Sequence, residues 1–401
     1  MKILLSAYAC EPNKGSEPGV GWSWAIEYAK NHQVWVLTKD NNEQTIKTYL
    51  AENPEYRNEN LHFVYVGLPK KLTFWKKGRR GIRLFYTLWQ KKAAKIALEL
   101  NKLEHFDFVQ HITFVSYTQV SYMYKLGIPL IWGPVSGGEN IPKGMRINMR
   151  RKEIFIETCR KLSQTLALYS TPIKRTMETA KIILVATEET RNKIPQKYLS
   201  KTYVMSAIGL ERMPGKRRKK HSDKIRIVMA GRLIYWKAFD IGIRAFMKAA
   251  KNNEGIELHI LGEGDQKEKM KLIAGDMLNK QIFFDPPVSH DEIFEYYSQF
   301  DLFINTTLRD SGCMTMMEAM ATGLPCIAIA TGGPAVLLES FEECRVEPYS
   351  YQACVDTIAE MIESFVLYRS NWEDIAEKQY DYANMNFTIN SKLQVLNTLK
   401  K

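Results

Sequence analysis

Apolar residues in this chain fall into two successive series. In each, short runs rich in Ile, Val and Leu alternate with longer stretches in which apolar positions recur at helical spacing. The first series has its short runs at 3–8, 34–37, 62–66, 106–110, 129–132 and 182–186. After residue 205 the alternation restarts, with runs at 225–230, 256–261, 282–284, 301–304 and 325–328. Strands that are apolar on both sides belong to sheets covered on both faces, and strand–helix alternation predicts parallel βαβ units. Two such series predict two doubly wound α/β domains. The boundary is expected within 209–223, where Pro214-Gly215 precedes the basic run Lys216-Arg217-Arg218-Lys219-Lys220, a composition suited to a loop rather than an element. The expected division is 1–205, rejoined by a C-terminal helix at 376–401, and 206–375.

Composition adds limits. With 401 residues, 45% of them hydrophobic and 25% charged, the chain has the make-up of a globular protein long enough for two domains. Its six cysteines (10, 159, 313, 326, 344 and 354) form no C-x-x-C pair and no metal-ligand spacing, and read as reduced thiols of a cytoplasmic protein. The apolar start, Met1 to Leu5, breaks at Glu11-Pro12-Asn13-Lys14, so it reads as a first strand rather than a signal peptide. No apolar stretch reaches the roughly 20 residues of a membrane span.

Charge is uneven. The net charge is +12, and residues 70–95 hold ten Lys or Arg and no acid. A solvated face is one reading of this run. The other is an anionic membrane surface, because Trp75, Phe85 and Trp89 lie among the cations and positions 82, 85, 86, 89, 93, 96 and 97 follow helical spacing. Nucleic acid is the competing polyanion, but no nucleic-acid-binding motif is present. The membrane reading is the one carried forward, with peripheral attachment at the inner face of the cell membrane.

Two stretches carry the candidate chemistry. Gly231-Arg232-Leu233-Ile234-Tyr235-Trp236-Lys237 follows a predicted strand and sets two cations beyond its end; Asp310-Ser311-Gly312-Cys313-Met314-Thr315-Met316-Met317-Glu318 sets two carboxylates eight apart across a turn that enters a helix. In open α/β sheets, ligands bind beyond the carboxyl ends of strands, and helix N-termini favour anions. Cations, backbone N–H groups and hydroxyl-binding carboxylates together suit a sugar nucleotide. A third stretch, Gly15-Ser16-Glu17-Pro18-Gly19-Val20-Gly21, is a glycine-rich first turn whose spacing does not match G-x-G-x-x-G, which counts against an NAD fingerprint.

The two main stretches resemble the donor site of glycosyltransferase family 4, retaining enzymes of GT-B architecture found in bacterial surface-polysaccharide synthesis. The similarity extends over most of 3–375 and is densest in 225–335. It implies two Rossmann-like domains facing a cleft, with a nucleotide-sugar domain at the C-terminal side. It implies that Arg232 and Lys237 neutralise the leaving diphosphate, that Glu318 binds ribose, and that Asp310, where the family normally has Glu, holds the transferred sugar. Ser311, Gly312, Cys313, Met314 and Thr315 would offer N–H groups to sugar and phosphate. Gly15 and Gly19 would approach the donor, Gly262-Glu263 and Val288 would lie near the base, and His111, after a predicted strand, would reach the sugar. Gly137, Gly138 and Glu139 would line the acceptor side. Ala238 stands where the family has Gly, and Asp285-Pro286-Pro287 departs from the family pattern.

The implied activity is transfer of a hexose or related sugar from a nucleoside diphosphate sugar, UDP- or GDP-linked, to a saccharide or lipid-linked saccharide. The implied mechanism is retaining and metal-independent, with no cofactor. A GT-B epimerase or phosphorylase and a non-catalytic nucleotide-binding protein remain as alternatives.

Overall fold

The computed structural model describes residues 1–69, 71, 75, 78, 81–216, 224–251, 253–289 and 291–400. Its strands form two wholly parallel sheets. The first contains β1 (Lys2–Ser6), β2 (Gln33–Lys39), β3 (Leu61–Val66), β4 (Phe108–His111), β5 (Leu130–Val135), β6 (Ala180–Val185) and β7 (Thr202–Val204), in the order β3-β2-β1-β4-β5-β6-β7. The second contains β8 (Ile225–Ala230), β9 (Ile256–Leu261), β10 (Ile282–Asp285), β11 (Leu302–Asn305), β12 (Cys326–Ile329) and β13 (Arg345–Val346), in the order β10-β9-β8-β11-β12-β13. Both are doubly wound, as expected from the alternation. The winding reverses between β1 and β4 in one sheet and between β8 and β11 in the other, and ligands bind at such switch points. The strands not anticipated are β7 and β13, edge strands of three and two residues.

Helices cover both faces of the first sheet, so successive residues of one strand enter different cores. Leu4 of β1 packs with Trp89, Ala93 and Trp132 on one face. Ile3 and Leu5 pack with Trp22, Trp24 and Tyr28 on the other, where the helix Ile389–Leu399 adds Ile389, Leu393 and Leu396.

The chain divides into two compact units. One comprises Met1–Gly138, Leu162–Glu211 and Ile389–Lys401; the other comprises Glu139–Lys161 and Arg212–Thr388. Compared with the expected division, the passage to the second unit comes at 211/212, and the C-terminal return begins at Ile389. The larger difference is 139–161, which lies early in sequence yet packs with the second unit.

The helix Ile82–Glu104 corrects the reading of 70–95. Its stripe Tyr86, Trp89, Ala93 and Ala97 is buried in the first unit, and the Trp89 indole donates to the Val66 carbonyl at 2.8 Å. Of the apolar positions offered to a membrane, 86, 89, 93 and 97 are a core stripe, with Ile82, Phe85 and Ile96 packed against it. Lys70, Lys76, Lys77, Arg79 and Arg80 lie outside the described residues. No described helix is long and apolar enough to cross a membrane.

Candidate functional site

At the switch point of the second sheet, the turn after β8 and the turn after β11 meet. The Leu308 N–H donates to the Trp236 carbonyl at 2.8 Å, and the Thr306 hydroxyl donates to the Lys237 carbonyl at 3.0 Å. These bonds bring together side chains 73 residues apart: the Lys237 ammonium forms an ion pair with Asp310 Oδ2. Asp310 Oδ1 accepts from the Gly312 and Cys313 N–H groups at 3.0 and 3.2 Å. Burial raises the Asp310 pKa, but the Lys237 charge and these hydrogen bonds prevail and hold the carboxyl below its ordinary value. Three of the roughly four acceptor sites of a carboxylate are therefore occupied, leaving room for one more donor. Two of the N–H groups expected to meet sugar and phosphate, those of Gly312 and Cys313, are instead turned onto Asp310. Ser311 lies in the same turn, and Met314 and Thr315 open the helix Met314–Ala321. Arg232 is exposed and forms no ion pair among the described residues.

Close backbone packing fixes these turns. A Cβ on Gly262 would lie 1.9 Å from the Gly231 carbonyl oxygen, and one on Gly264 would lie 2.1 Å from that of Leu233. The Leu233 N–H donates to the Glu263 carbonyl at 2.8 Å, while the Glu263 side chain pairs with Lys267 at 2.5 Å. Gly262 and Glu263 thus clamp the Arg232 turn through their backbones. On the other side, Gly332 at φ +53° rests on the Asp310 carbonyl, where a Cβ would approach to 2.0 Å, and the Gly333 N–H donates to that carbonyl at 2.7 Å. Ala238 occupies the left-handed region at φ 47°, ψ 42°, which a glycine adopts without strain.

Glu318 is buried on the helix Met314–Ala321, and burial raises its pKa to about 8. Elsewhere in this unit, Asp285 is anchored by Tyr296 Oη at 2.6 Å and His259 Nδ1 at 3.1 Å. Burial raises its pKa, yet these bonds hold it below the ordinary carboxylate value. The residue that departs from the family pattern therefore has a local structural role. Val288 is half-buried, the Ser289 hydroxyl donates to Glu292 at 2.6 Å, and His290 lies outside the described residues.

The segment 139–161 supplies residues that sequence reasoning missed or placed elsewhere. Buried Glu139, assigned to the acceptor side, sits beside the Asp310 loop: a Cβ on Gly332 would lie 3.3 Å from its Cγ. Glu157, on the helix Arg151–Ala167, is buried and forms an ion pair with Arg309; it also accepts from Tyr235 Oη at 2.7 Å. Arg309 in turn lies 4.6 Å from the Trp236 ring centre. One carboxylate thus holds the neighbours of both Asp310 and Lys237. The sequence signal was a polar stripe at helical spacing, Glu153, Glu157, Arg160 and Gln164, which has the pattern of a solvent face.

The switch point of the first sheet is different in kind. His111 ends β4 and is fully buried, with Nε2 2.6 Å from Tyr86 Oη. Burial lowers its pKa to about 3, so the ring is neutral at ordinary pH. Gly15 precedes the helix Ser16–Ala29 with open space at its Cβ position, whereas a Cβ on Gly19 would meet the Lys14 carbonyl oxygen at 2.0 Å. Gly137, at φ +104°, packs against the Ser116 hydroxyl, and the Gly138 N–H donates to Thr190 Oγ1 at 3.1 Å.

Comparison with known proteins bears on the fold and on the segment that holds the charged turns. Residues 214–379, less than half of the chain, match the family model described as Glycosyl transferases group 1, and both charged turns lie inside that segment. An uncharacterized glycosyltransferase of Methanocaldococcus jannaschii is 25% identical over 150 residues, 37% of this chain and 38% of the relative. The phosphatidylinositol N-acetylglucosaminyltransferase GPI3 subunit of Saccharomyces cerevisiae is 25% identical over 179 residues, 43% of this chain and 39% of the relative. The chain thus spans about two-fifths of the length of these relatives. Among solved structures, HepE of Anabaena, in complex with UDP and glucose, aligns with a TM-score of 0.64 at 14% identity, over 100% of this chain and 99% of that one. The lipopolysaccharide outer core galactosyltransferase WaaB aligns with the same TM-score, identity and coverage. The fold is that of GT-B glycosyltransferases, and the matched segment supports a glycosyltransferase.

Proposed function

We propose that this chain transfers a sugar from a nucleoside diphosphate sugar bound at the β8/β11 switch point. The observation that carries this reading is the Lys237–Asp310 ion pair, set between two glycine-locked turns with Arg232 and Glu318 in the same unit. Lys237 is held by Asp310, which positions its ammonium for a diphosphate. Arg232 supplies a second, exposed cation. In the reaction the bond from the anomeric carbon to the diphosphate oxygen breaks, and a bond to the acceptor hydroxyl oxygen forms. The acceptor proton passes to the departing diphosphate, whose developing charge the two cations stabilise. The remaining acceptor capacity of Asp310 suits a sugar hydroxyl, and Glu318 suits ribose.

The finer reading is metal-independent transfer with retention from a UDP- or GDP-sugar, within surface-polysaccharide synthesis. UDP in HepE supports the donor class. The lipid-named substrates of the GPI3 subunit and of WaaB support a lipid-linked acceptor. A panel of UDP- and GDP-sugars with lipid-linked saccharide acceptors, read by mass spectrometry, tests the proposal. Gain of one sugar on the acceptor with equal release of nucleoside diphosphate is expected. Isomerised nucleotide sugar, or sugar phosphate formed from inorganic phosphate, would instead indicate an epimerase or phosphorylase. Unaffected activity in EDTA is expected, and loss restored by Mn²⁺ would overturn metal independence.

A further inference from the structure

The helix Arg151–Ala167 has its polarity reversed. Glu153, Glu157 and Gln164 are buried, and with Arg160 they form the inward stripe. Each has a partner there: Arg150 Nε donates to Glu153 at 2.7 Å, Glu157 takes Tyr235 and Arg309, Arg160 donates to the Glu139 carbonyl at 2.9 Å, and Gln164 donates to the Gly137 carbonyl at 2.5 Å. The outward stripe is apolar. Phe155, Leu162, Leu166 and Tyr169, with Ile147 just before the helix, are each 60–77% exposed. Positions 155, 159, 162 and 166 fall on one side at helical spacing, and Tyr169 follows in the turn after the helix. Cys159 belongs to this stripe and is the one exposed cysteine of the six. Scattered exposed apolar residues are ordinary, but a continuous stripe marks a binding surface.

Charge identifies what covers it. Between Lys143 and Arg175 the only acids are Glu153 and Glu157, both turned inward, whereas Arg151, Lys152, Lys161, Lys174 and Arg175 are exposed; Arg150 is paired with Glu153 and lies 3.7 Å from the exposed Asp265. An apolar stripe bordered by cations, whose own segment turns no carboxylate outward, complements a surface that is apolar below and anionic above. We propose that this face docks on an anionic lipid bilayer. The large apolar side chains enter the interface, and Arg151 and Lys152 reach lipid phosphates. The same helix holds Glu139 and the neighbours of Lys237 and Asp310 through Arg160 and Glu157, so docking would bring those groups to a surface that carries lipid-linked acceptors. That last link rests on the sugar-transfer reading; the docking itself does not.

The exposed thiol provides the probe. Full-length protein labelled at Cys159 with an environment-sensitive fluorophore is mixed with vesicles of phosphatidylglycerol and phosphatidylcholine, or of phosphatidylcholine alone. The expected result is a blue shift with anionic vesicles that fades as salt is raised. Sedimentation of unlabelled Phe155→Ser/Leu162→Ser/Leu166→Ser with the same vesicles should be weaker by about tenfold or more, with UDP or GDP affinity unchanged. Wild-type protein that fails to sediment with anionic vesicles at low salt, or a triple variant that binds as well as wild type, would overturn the proposal. A wild-type dimer that becomes monomeric in the triple variant would also overturn it, by assigning the face to a second copy of the chain. Vesicle binding without sugar transfer would leave the docking surface standing and remove the function.

Discussion

The two switch points of this molecule share a topology and differ in chemistry. Beyond β8 and β11 lie an ammonium, a guanidinium and two carboxylates, with Lys237 and Asp310 paired and the Asp310 carboxyl held ionised. At the end of β4 lies a buried, neutral His111 against the Tyr86 hydroxyl. A doubly wound sheet offers the same crevice in both units, and among the described residues the second sets the Lys237–Asp310 pair there. The fold therefore supplies a place, and the turns after the strands decide what that place can bind.

The comparison is broken most severely by removing its central cation. Lys237→Ala should lower kcat by about 10²–10³-fold, since loss of one preorganised donor to developing charge costs about 2.7–4 kcal/mol. Steady-state kinetics on the identified donor would check this, and an unaltered kcat would remove Lys237 from the chemistry. Glu157→Ala should come next. Removing one partner of a buried ion pair costs about 3–5 kcal/mol, and the remaining exposure of Arg309 puts this case near the low end. A shift in the denaturation midpoint would be measured, with donor KM rising as the Arg309 and Tyr235 turns loosen.

Glu318 makes a pH-dependent prediction. Burial raises its carboxyl pKa to about 8, so burying it disfavours folding progressively as pH rises from the ordinary carboxyl range toward 8. If ribose hydroxyls donate to the ionised form, nucleoside diphosphate affinity should increase toward pH 8 by at most about tenfold per unit and then level off. Calorimetry across pH would show this slope, and Glu318→Gln should flatten it. On the neutral side, Tyr86→Phe should cost about 1–3 kcal/mol by leaving buried His111 Nε2 without its partner. A wild-type pH–rate profile should show no His111 step near the ordinary histidine value.

Much of the fold could be read from the alternation of apolar runs, because strands buried on both faces leave continuous Ile, Val and Leu signals. The edge strands β7 and β13 escaped because two or three residues make no pattern. The turn 310–318 was recognisable by resemblance, but two of its N–H groups were assigned to a ligand when they bond to Asp310. No local signal shows that Lys237 and Asp310 meet, or that 139–161 packs with the later unit. Helix Ile82–Glu104 and helix Arg151–Ala167 misled in opposite ways. Helix Ile82–Glu104 has the pattern of a membrane face and buries its aromatic stripe. Helix Arg151–Ala167 has the pattern of an ordinary amphipathic helix and buries its acids. Periodicity shows that a helix has two faces, and only tertiary packing decides which one is inside.

The most direct test is calorimetric titration of UDP and GDP into wild type, Lys237→Ala, Glu318→Gln and Tyr86→Phe at one pH and salt concentration. The account predicts one nucleoside diphosphate site, weakened by both substitutions in the second unit and unchanged by Tyr86→Phe. Equal affinity in wild type, Lys237→Ala and Glu318→Gln would contradict it.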